Sequence, residues 1–222
     1  MEINTLKISK VLIMLSFLIA LSVFVTFFTN FGQSVVFADT GTSSSVVITL
    51  NVDAGIAISS PDAVSMSQNL SLVNMTAVAS STWTITTNNI TGYNLTVKAS
   101  TAPAMQQNAT TTIADFSTTT TPALWSTVPS GTAQFGFSAY GTDVLDATWG
   151  AGASCQASAN TPATDLKYLG FTTSTSTVVA TRAATTTYAG SATTVCYAVE
   201  QKAFYVPSGT YTATITATAV TI

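Results

Sequence analysis

Apolar and polar residues alternate with a period of two over long stretches of this chain, the pattern of a strand with one face buried and one face wet. The clearest case runs from Ser81 to Ala99. Trp83 and Ile85 fall on one face, with Thr82, Thr84 and Thr86 on the other. Beyond a loop from Asn88 to Gly92, Tyr93, Leu95, Val97 and Ala99 alternate with Asn94, Thr96 and Lys98. Trp, Ile, Tyr, Val and Thr suit a pleated, half-buried surface. Asn88-Asn89 ahead of Gly92 supplies the Asx or left-handed geometry of a chain reversal. The two runs therefore predict a β-hairpin.

Further strands follow from the same rule. Val46, Ile48, Leu50 and Val52 alternate with Val47, Thr49 and Asn51 and predict a first strand. Ala54–Ser60, Leu70–Ala79, Leu166–Phe171 and Val178–Ala183 predict shorter ones. Ala133, Phe135, Phe137 and Ala139 alternate with Gln134, Gly136, Ser138 and Tyr140, and Gly136 marks a bulge or the close approach of a ring. Val195–Tyr205 is apolar on both faces, as expected of a central strand buried on both sides. Tyr211, Ala213, Ile215, Ala217 and Ala219 alternate with threonines in the most regular run of all. Thr101–Ser130 and Asp143–Ala163 are rich in Thr, Ala, Ser, Gly and Pro and read as long loops around short strands.

The N-terminus changes the picture from a plain β-protein to an exported one. Lys7 and Lys10 precede an apolar run from Val11 to Phe28, and Val36-Phe37-Ala38 places small residues at a cleavage junction before Asp39. Residues 1–38 are thus expected to be a signal peptide with a helical core. A run of this length also suits an uncleaved N-terminal anchor, the one route by which a membrane would be engaged. Removing the leader leaves about 184 residues, enough for a single domain over 39–222. It also takes the net charge from −3 to −4, because Lys7 and Lys10 leave together with Glu2. Four cations remain, Lys98, Lys167, Arg182 and Lys202. They are too few to neutralise a phosphate backbone, so nucleic acid is excluded as a partner. Threonine is about one residue in five after the leader, which keeps the wet face of a strand polar without charge. Together these features predict an all-β fold, an antiparallel β-sandwich of immunoglobulin-like or jelly-roll-like kind, at the cell surface or outside the cell.

Chemistry-bearing residues are sparse. The absence of histidine removes Ser-His and Cys-His nucleophilic machinery and imidazole metal sites. Asp62, Asp115, Asp143, Asp146, Asp165 and Glu200 are the carboxylates from which a hydrolytic pair would have to come, and their spacing selects no two of them. Asp143 and Asp146 near Gly141 and Gly150 lack the dense ligand spacing of a Ca²⁺ loop and read as solvated. No catalytic residue, cofactor or metal is therefore expected. Cys155 and Cys196, an even count in an exported chain, predict one disulfide. Trp125, Tyr140 and Trp149 are candidates for a glycan-stacking platform, the alternative being that they cap the core. Sequons begin at Asn69, Asn74, Asn89, Asn94 and Asn108, a pattern the Thr and Ser content nearly forces.

The sequence Gly209-Thr210-Tyr211-Thr212-Ala213-Thr214-Ile215 resembles the last strand of bacterial immunoglobulin-like surface domains, and the Trp83–Ala99 stretch resembles hairpins of secreted bacterial surface proteins. The general layout is similar to the WxL cell-wall-binding proteins, but their repeated Trp-x-Leu is missing. Trp83, Trp125 and Trp149 are followed two residues later by Ile85, Thr127 and Ala151, so wall binding of that kind is not implied. Export, the strand pattern and the sparse chemistry together lead to the expectation of a secreted, non-enzymatic structural or adhesive protein, a filament or coat subunit, whose partners would be copies of itself or cell-surface glycans. The alternative is a carbohydrate-binding module that uses the loop aromatics.

Overall fold

Trp83 and Ile85 on one run, and Tyr93, Leu95, Val97 and Ala99 on the other, are all buried in the computed structural model of the chain. It describes residues 13–20, 22, 44–116, 120–125, 128–173 and 175–222. Among these the strands are β1 (Ile56–Ile58), β2 (Thr76–Thr87), β3 (Tyr93–Ala99), β4 (Met105–Gln106), β5 (Thr112–Asp115), β6 (Ala123–Leu124) and β7 (Thr132–Gly141). They continue with β8 (Gln156–Ser158), β9 (Thr161–Pro162), β10 (Lys167–Tyr168), β11 (Thr177–Arg182), β12 (Ser191–Lys202) and β13 (Ile215–Thr221). A single helical turn, Asp146–Trp149, lies between β7 and β8. The all-β class expected from the alternation is what the chain adopts.

The chain separates into residues 1–50 and residues 51–222. In the first unit residues 13–20 are helical, and the hydroxyls of Ser16 and Ser22 each donate to the carbonyl three residues back at 2.8 Å. The rest of the expected signal segment, including the Ala38–Asp39 junction, lies outside the described residues. No described helix is long and apolar enough to cross a membrane.

In the second unit a six-stranded sheet runs in the order β1-β2-β12-β7-β5-β4, and a three-stranded sheet in the order β11-β3-β13. Two-stranded ladders β10-β6 and β8-β9 complete the pairing. β5 runs parallel to β7, Ala114 opposite Gln134 and Asp115 opposite Phe135, so the pairing is not purely antiparallel as expected. β12 lies between β2 and β7, and it is buried on both faces as its apolar run predicts. Val195, Tyr197 and Val199 join a cluster with Trp83, Phe135 and Phe137. Cys196 and Ala198 join a second cluster with Val78, Leu166 and Tyr168. The first cluster also takes Leu95 and Val97 from β3 and Val179 from β11, so both main sheets bury side chains in it.

The predicted hairpin does not form. β2 pairs with β1 and β12, while β3 pairs with β11 and β13, so the segment 88–92 carries the chain from one sheet to the other. Side-chain alternation is the same in either arrangement, because both strands must turn one face to a common core; what differs is where the backbone hydrogen bonds go. The crossing needs Gly92, at φ 84°, where an added Cβ would stand 1.8 Å from the Arg182 carbonyl oxygen.

The predicted first strand at Val46–Val52 is also absent: residues 44–55 are in no strand. Val46, Ile48, Leu50 and Val52 are 74–88% exposed. The edge of β2 is instead taken by β1, whose lead-in is held by the Asn88 side chain, which accepts from the Gly55 N–H at 2.6 Å and donates to the Asp53 carbonyl at 2.8 Å. Elsewhere the expected strands appear with shifted ends. Leu70–Met75 is not strand, and the Leu166–Phe171 strand shrinks to β10, extended by a bridge from Leu169 to Phe137. At Gly136 a Cβ would come within 2.7 Å of Phe116 Cβ and 3.2 Å of the Trp125 ring, the close ring approach expected there.

Engineered cysteine pairs distinguish the two connections. A hairpin with a loop over 88–92 would set Thr82 opposite Lys98, whereas the observed register sets Lys98 opposite Thr216. A disulfide needs a Cα separation of about 4.4–6.8 Å. Lys98→Cys with Thr216→Cys should therefore oxidise to a second bridge in non-reducing mass spectrometry, while Thr82→Cys with Lys98→Cys should keep two free thiols.

Candidate functional site

Four places gather polar, aromatic or unfilled surface, and each can be built from its residues. The first is the disulfide. Cys196 lies on the face of β12 turned to the second cluster, and Cys155 reaches it from the loop after the helical turn, with a Cα separation of 5.2 Å. The bridge pins a loop of sequence separation 41 to the central strand. Closing a loop of that size contributes about 4 kcal/mol in the chain-entropy account. It also suggests an oxidising, extracellular-type environment.

The second is the set of loop aromatics. Trp149 is 2% exposed and packs on Phe137 with ring centroids 5.3 Å apart, in the first cluster. Trp125 stacks on Phe116 at 4.7 Å, meets the edge of Tyr168 at 5.1 Å, and leans with Tyr140 on the second cluster. The Trp125 indole N–H donates to Glu200 Oε2 at 2.8 Å. The three rings are thus divided between the two clusters, and Trp149 offers almost no surface for stacking.

The third is Asp143. Its side chain is 7% exposed, pairs with Arg182 at 3.1 Å, and accepts from the Tyr93 hydroxyl at 2.8 Å and from the Ser191 hydroxyl. The residue reads from sequence as a solvated loop aspartate, and that expectation is overturned. Its partners come from β3, β11 and β12, which the sequence spreads from Tyr93 to Ser191 and only the sheet crossing brings together. Burial pushes the Tyr93 phenol up to about 12, with the Asp143 carboxylate adding to the rise and the Ser191 hydroxyl opposing it. Burial likewise pushes Tyr197 up to about 12, where its hydroxyl meets Ser81 Oγ at 2.7 Å, and Tyr168 up to about 12. The other carboxylates are dispersed. Asp146 opens the helical turn and is exposed, Asp62 is exposed beside the groove described next, and Asp115 accepts from the Ala104 N–H at 3.1 Å with its pKa raised by burial. No group of three or more potential metal ligands occurs among the described residues.

The fourth place was not anticipated from the sequence. A groove of about 1070 Å³ is lined by side chains of β2, β4, β5, β7 and β12 together with two irregular segments. Its floor includes Trp83, Phe135, Tyr197 and Val199, and its banks are the segments 61–70 and 206–215. Met66, Leu70, Val206, Tyr211 and Ala213 on those banks are only partly buried against the core. The signal for it lay in the weak spacing of Pro61–Leu70, which makes no strand and so cannot seal the sheet.

No family model matches the chain, and comparison with curated proteins and with solved structures found no match.

The raised tyrosines give a pH dependence with a definite sign. Between an unfolded pKa near 10 and a folded value near 12 the native state holds more protons than the unfolded state. Stability should therefore be intact below about pH 10 and fall as pH rises towards 12. Urea titrations from pH 8 to 11.5 should show this fall, and Tyr197→Phe should make it shallower by about one proton. A slope unchanged by that substitution would contradict the assignment.

Proposed function

We propose that this chain is a secreted, non-enzymatic structural or adhesive protein of the cell surface, a subunit of a filament or coat. Its body is an antiparallel β-sandwich of immunoglobulin-like or jelly-roll-like kind with one parallel pairing, preceded by a signal helix. The observation that carries this reading is the Cys155–Cys196 bridge onto the doubly buried β12. A cross-link that ties a long loop to the central strand serves durability in an oxidising setting.

Two further observations support it. Several buried or half-buried polar side chains are paired within the fold: Asp143 with Arg182, Tyr93 and Ser191, Glu200 with Trp125, and Tyr197 with Ser81. The surface is polar through threonine more than through charge, since the whole chain carries only 7% charged residues. A surface of this kind suits lateral association better than recognition of a charged ligand.

Immunogold imaging and fractionation of the native cells, with an antibody to residues 51–222, tests the assignment. The expected result is label outside the cytoplasmic membrane on a chain whose N-terminus is Asp39 and whose cysteines are oxidised. Cytoplasmic label with two free thiols would overturn it. Saturable binding on a glycan array, lost in Trp125→Ala or Tyr140→Ala, would instead favour the carbohydrate-binding module.

A further inference from the structure

β2 and β12 pair antiparallel from Thr76 to Ile85, so each end of this pair carries one loop from either strand. Where β2 begins and β12 stops, the loops are 71–75 and 203–206. Ser71 closes a tight turn: its N–H donates to the Asn74 carbonyl at 2.9 Å, and its hydroxyl oxygen accepts from the Asn74 N–H at 3.0 Å. The two residues left at the tip are Leu72 and Val73, where a turn ordinarily carries polar residues or glycine. The other loop leaves β12 through Ala203, whose φ of 47° bends the chain ahead of Phe204 and Tyr205. Buried Gln201 clamps the two loops to each other, its side chain donating to the Ser71 carbonyl at 2.9 Å and accepting from the Val206 N–H at 3.1 Å. Leu72, Val73, Phe204 and Tyr205 therefore share one end of the sheet, and they are 44–85% exposed.

The opposite end repeats the arrangement. Loop 88–92 follows β2 and loop 183–190 precedes β12. They are joined through Thr186, whose N–H donates to the Thr87 carbonyl at 3.0 Å and whose hydroxyl oxygen accepts from the Thr87 N–H at 3.0 Å. Their apolar residues, Ile90 and Tyr188, are 82% and wholly exposed. The two ends differ in charge. Lys202 is exposed at the first, where the Glu200 carboxylate is engaged by the Trp125 indole. Asp53 is exposed at the second, its carbonyl held by the Asn88 side chain, and Arg182 there is already paired with Asp143. Exposed apolar residues scattered singly are ordinary, but apolar tips gathered at both ends of one strand pair, with opposite charges beside them, are complementary surfaces. A lipid surface would take up one such end and leave the other unused, whereas a second copy covers both.

We propose that copies of this chain stack end to end, with Leu72, Val73, Phe204 and Tyr205 of one copy packing on Ile90 and Tyr188 of the next and Lys202 facing Asp53. The contact is heterologous, so every copy added leaves one end of each kind open, and the array extends as a fibre when its rotation does not close a ring. This deepens the structural-subunit reading and rests on it.

The test is sedimentation velocity on the exported full chain and on two variants, Leu72→Asp/Val73→Asp at one end and Ile90→Asp/Tyr188→Asp at the other. The wild type should form multimers that grow with concentration, and each variant alone should associate at least about tenfold more weakly with an unchanged melting temperature. Mixing the two variants should give a dimer and nothing longer, because the mixture holds one intact end of each kind. Lys202→Asp should weaken the wild-type multimers and Asp53→Lys in the same chain should restore them. Multimers that persist in both end variants, or a dimer formed by either variant alone, would overturn head-to-tail stacking and leave the structural-subunit reading in place. A wild type that stays monomeric would overturn it as well, and surface imaging then decides the wider reading separately. Co-sedimentation of a monomeric wild type with phosphatidylglycerol–phosphatidylcholine vesicles, lost in Leu72→Asp/Val73→Asp, would assign the first end to a lipid surface instead and overturn the proposal.

Discussion

The fold depends on one strand being buried on both sides. β12 is hydrogen-bonded to β2 from Ser191 to Glu200 and to β7 from Thr193 to Lys202. Its odd residues feed the cluster shared with the three-stranded sheet, and its even residues feed the cluster against which Trp125 and Tyr140 pack. A half-buried strand can be sealed by one neighbouring layer, but a doubly buried one needs cover on each face. The three-stranded sheet supplies the first cover. The second is irregular: Leu166, Tyr168 and the Cys155 loop form it, and the disulfide holds it where regular pairing is too short to do so.

The period-two pattern made strand content and facing legible. Trp83 and Ile85, Leu95 and Val97, Phe135 and Phe137 all turn inward as their spacing requires. Partnership was not legible, because alternation says which face is buried and nothing about which edge is paired. That is why β2 and β3 look like a hairpin in sequence and belong to different sheets in space. Val46–Val52 has the alternation of a strand but pairs with none of the described residues, because alternation without a partner edge does not by itself make a strand. Asp143 was illegible for another reason. Its loop is Gly- and Ala-rich like any solvated turn, and only the convergence of Tyr93, Arg182 and Ser191 from both main sheets makes it a buried anchor.

The same geometry explains where the fold is incomplete. The three-stranded sheet is narrower than the six-stranded sheet it helps to cover. The difference is made up by segments 61–70 and 206–215, which bring partly buried side chains and little regular pairing. The inward residues Ile215, Ala217 and Ala219 of β13 are accordingly only half-buried, although their alternation is the most regular in the sequence. A strong local pattern at a sheet edge thus ends with less burial than the weaker pattern of β12 at the centre.

Native-state amide hydrogen exchange tests the central role of β12 most directly. Amides from Thr193 to Glu200 should open only with the whole unit, at the free energy of global unfolding, while those of β1, β4 and the banks of the groove open at far lower cost. Exchange of the β12 amides well below the global value, or protection greater in β13 than in β12, would contradict the account.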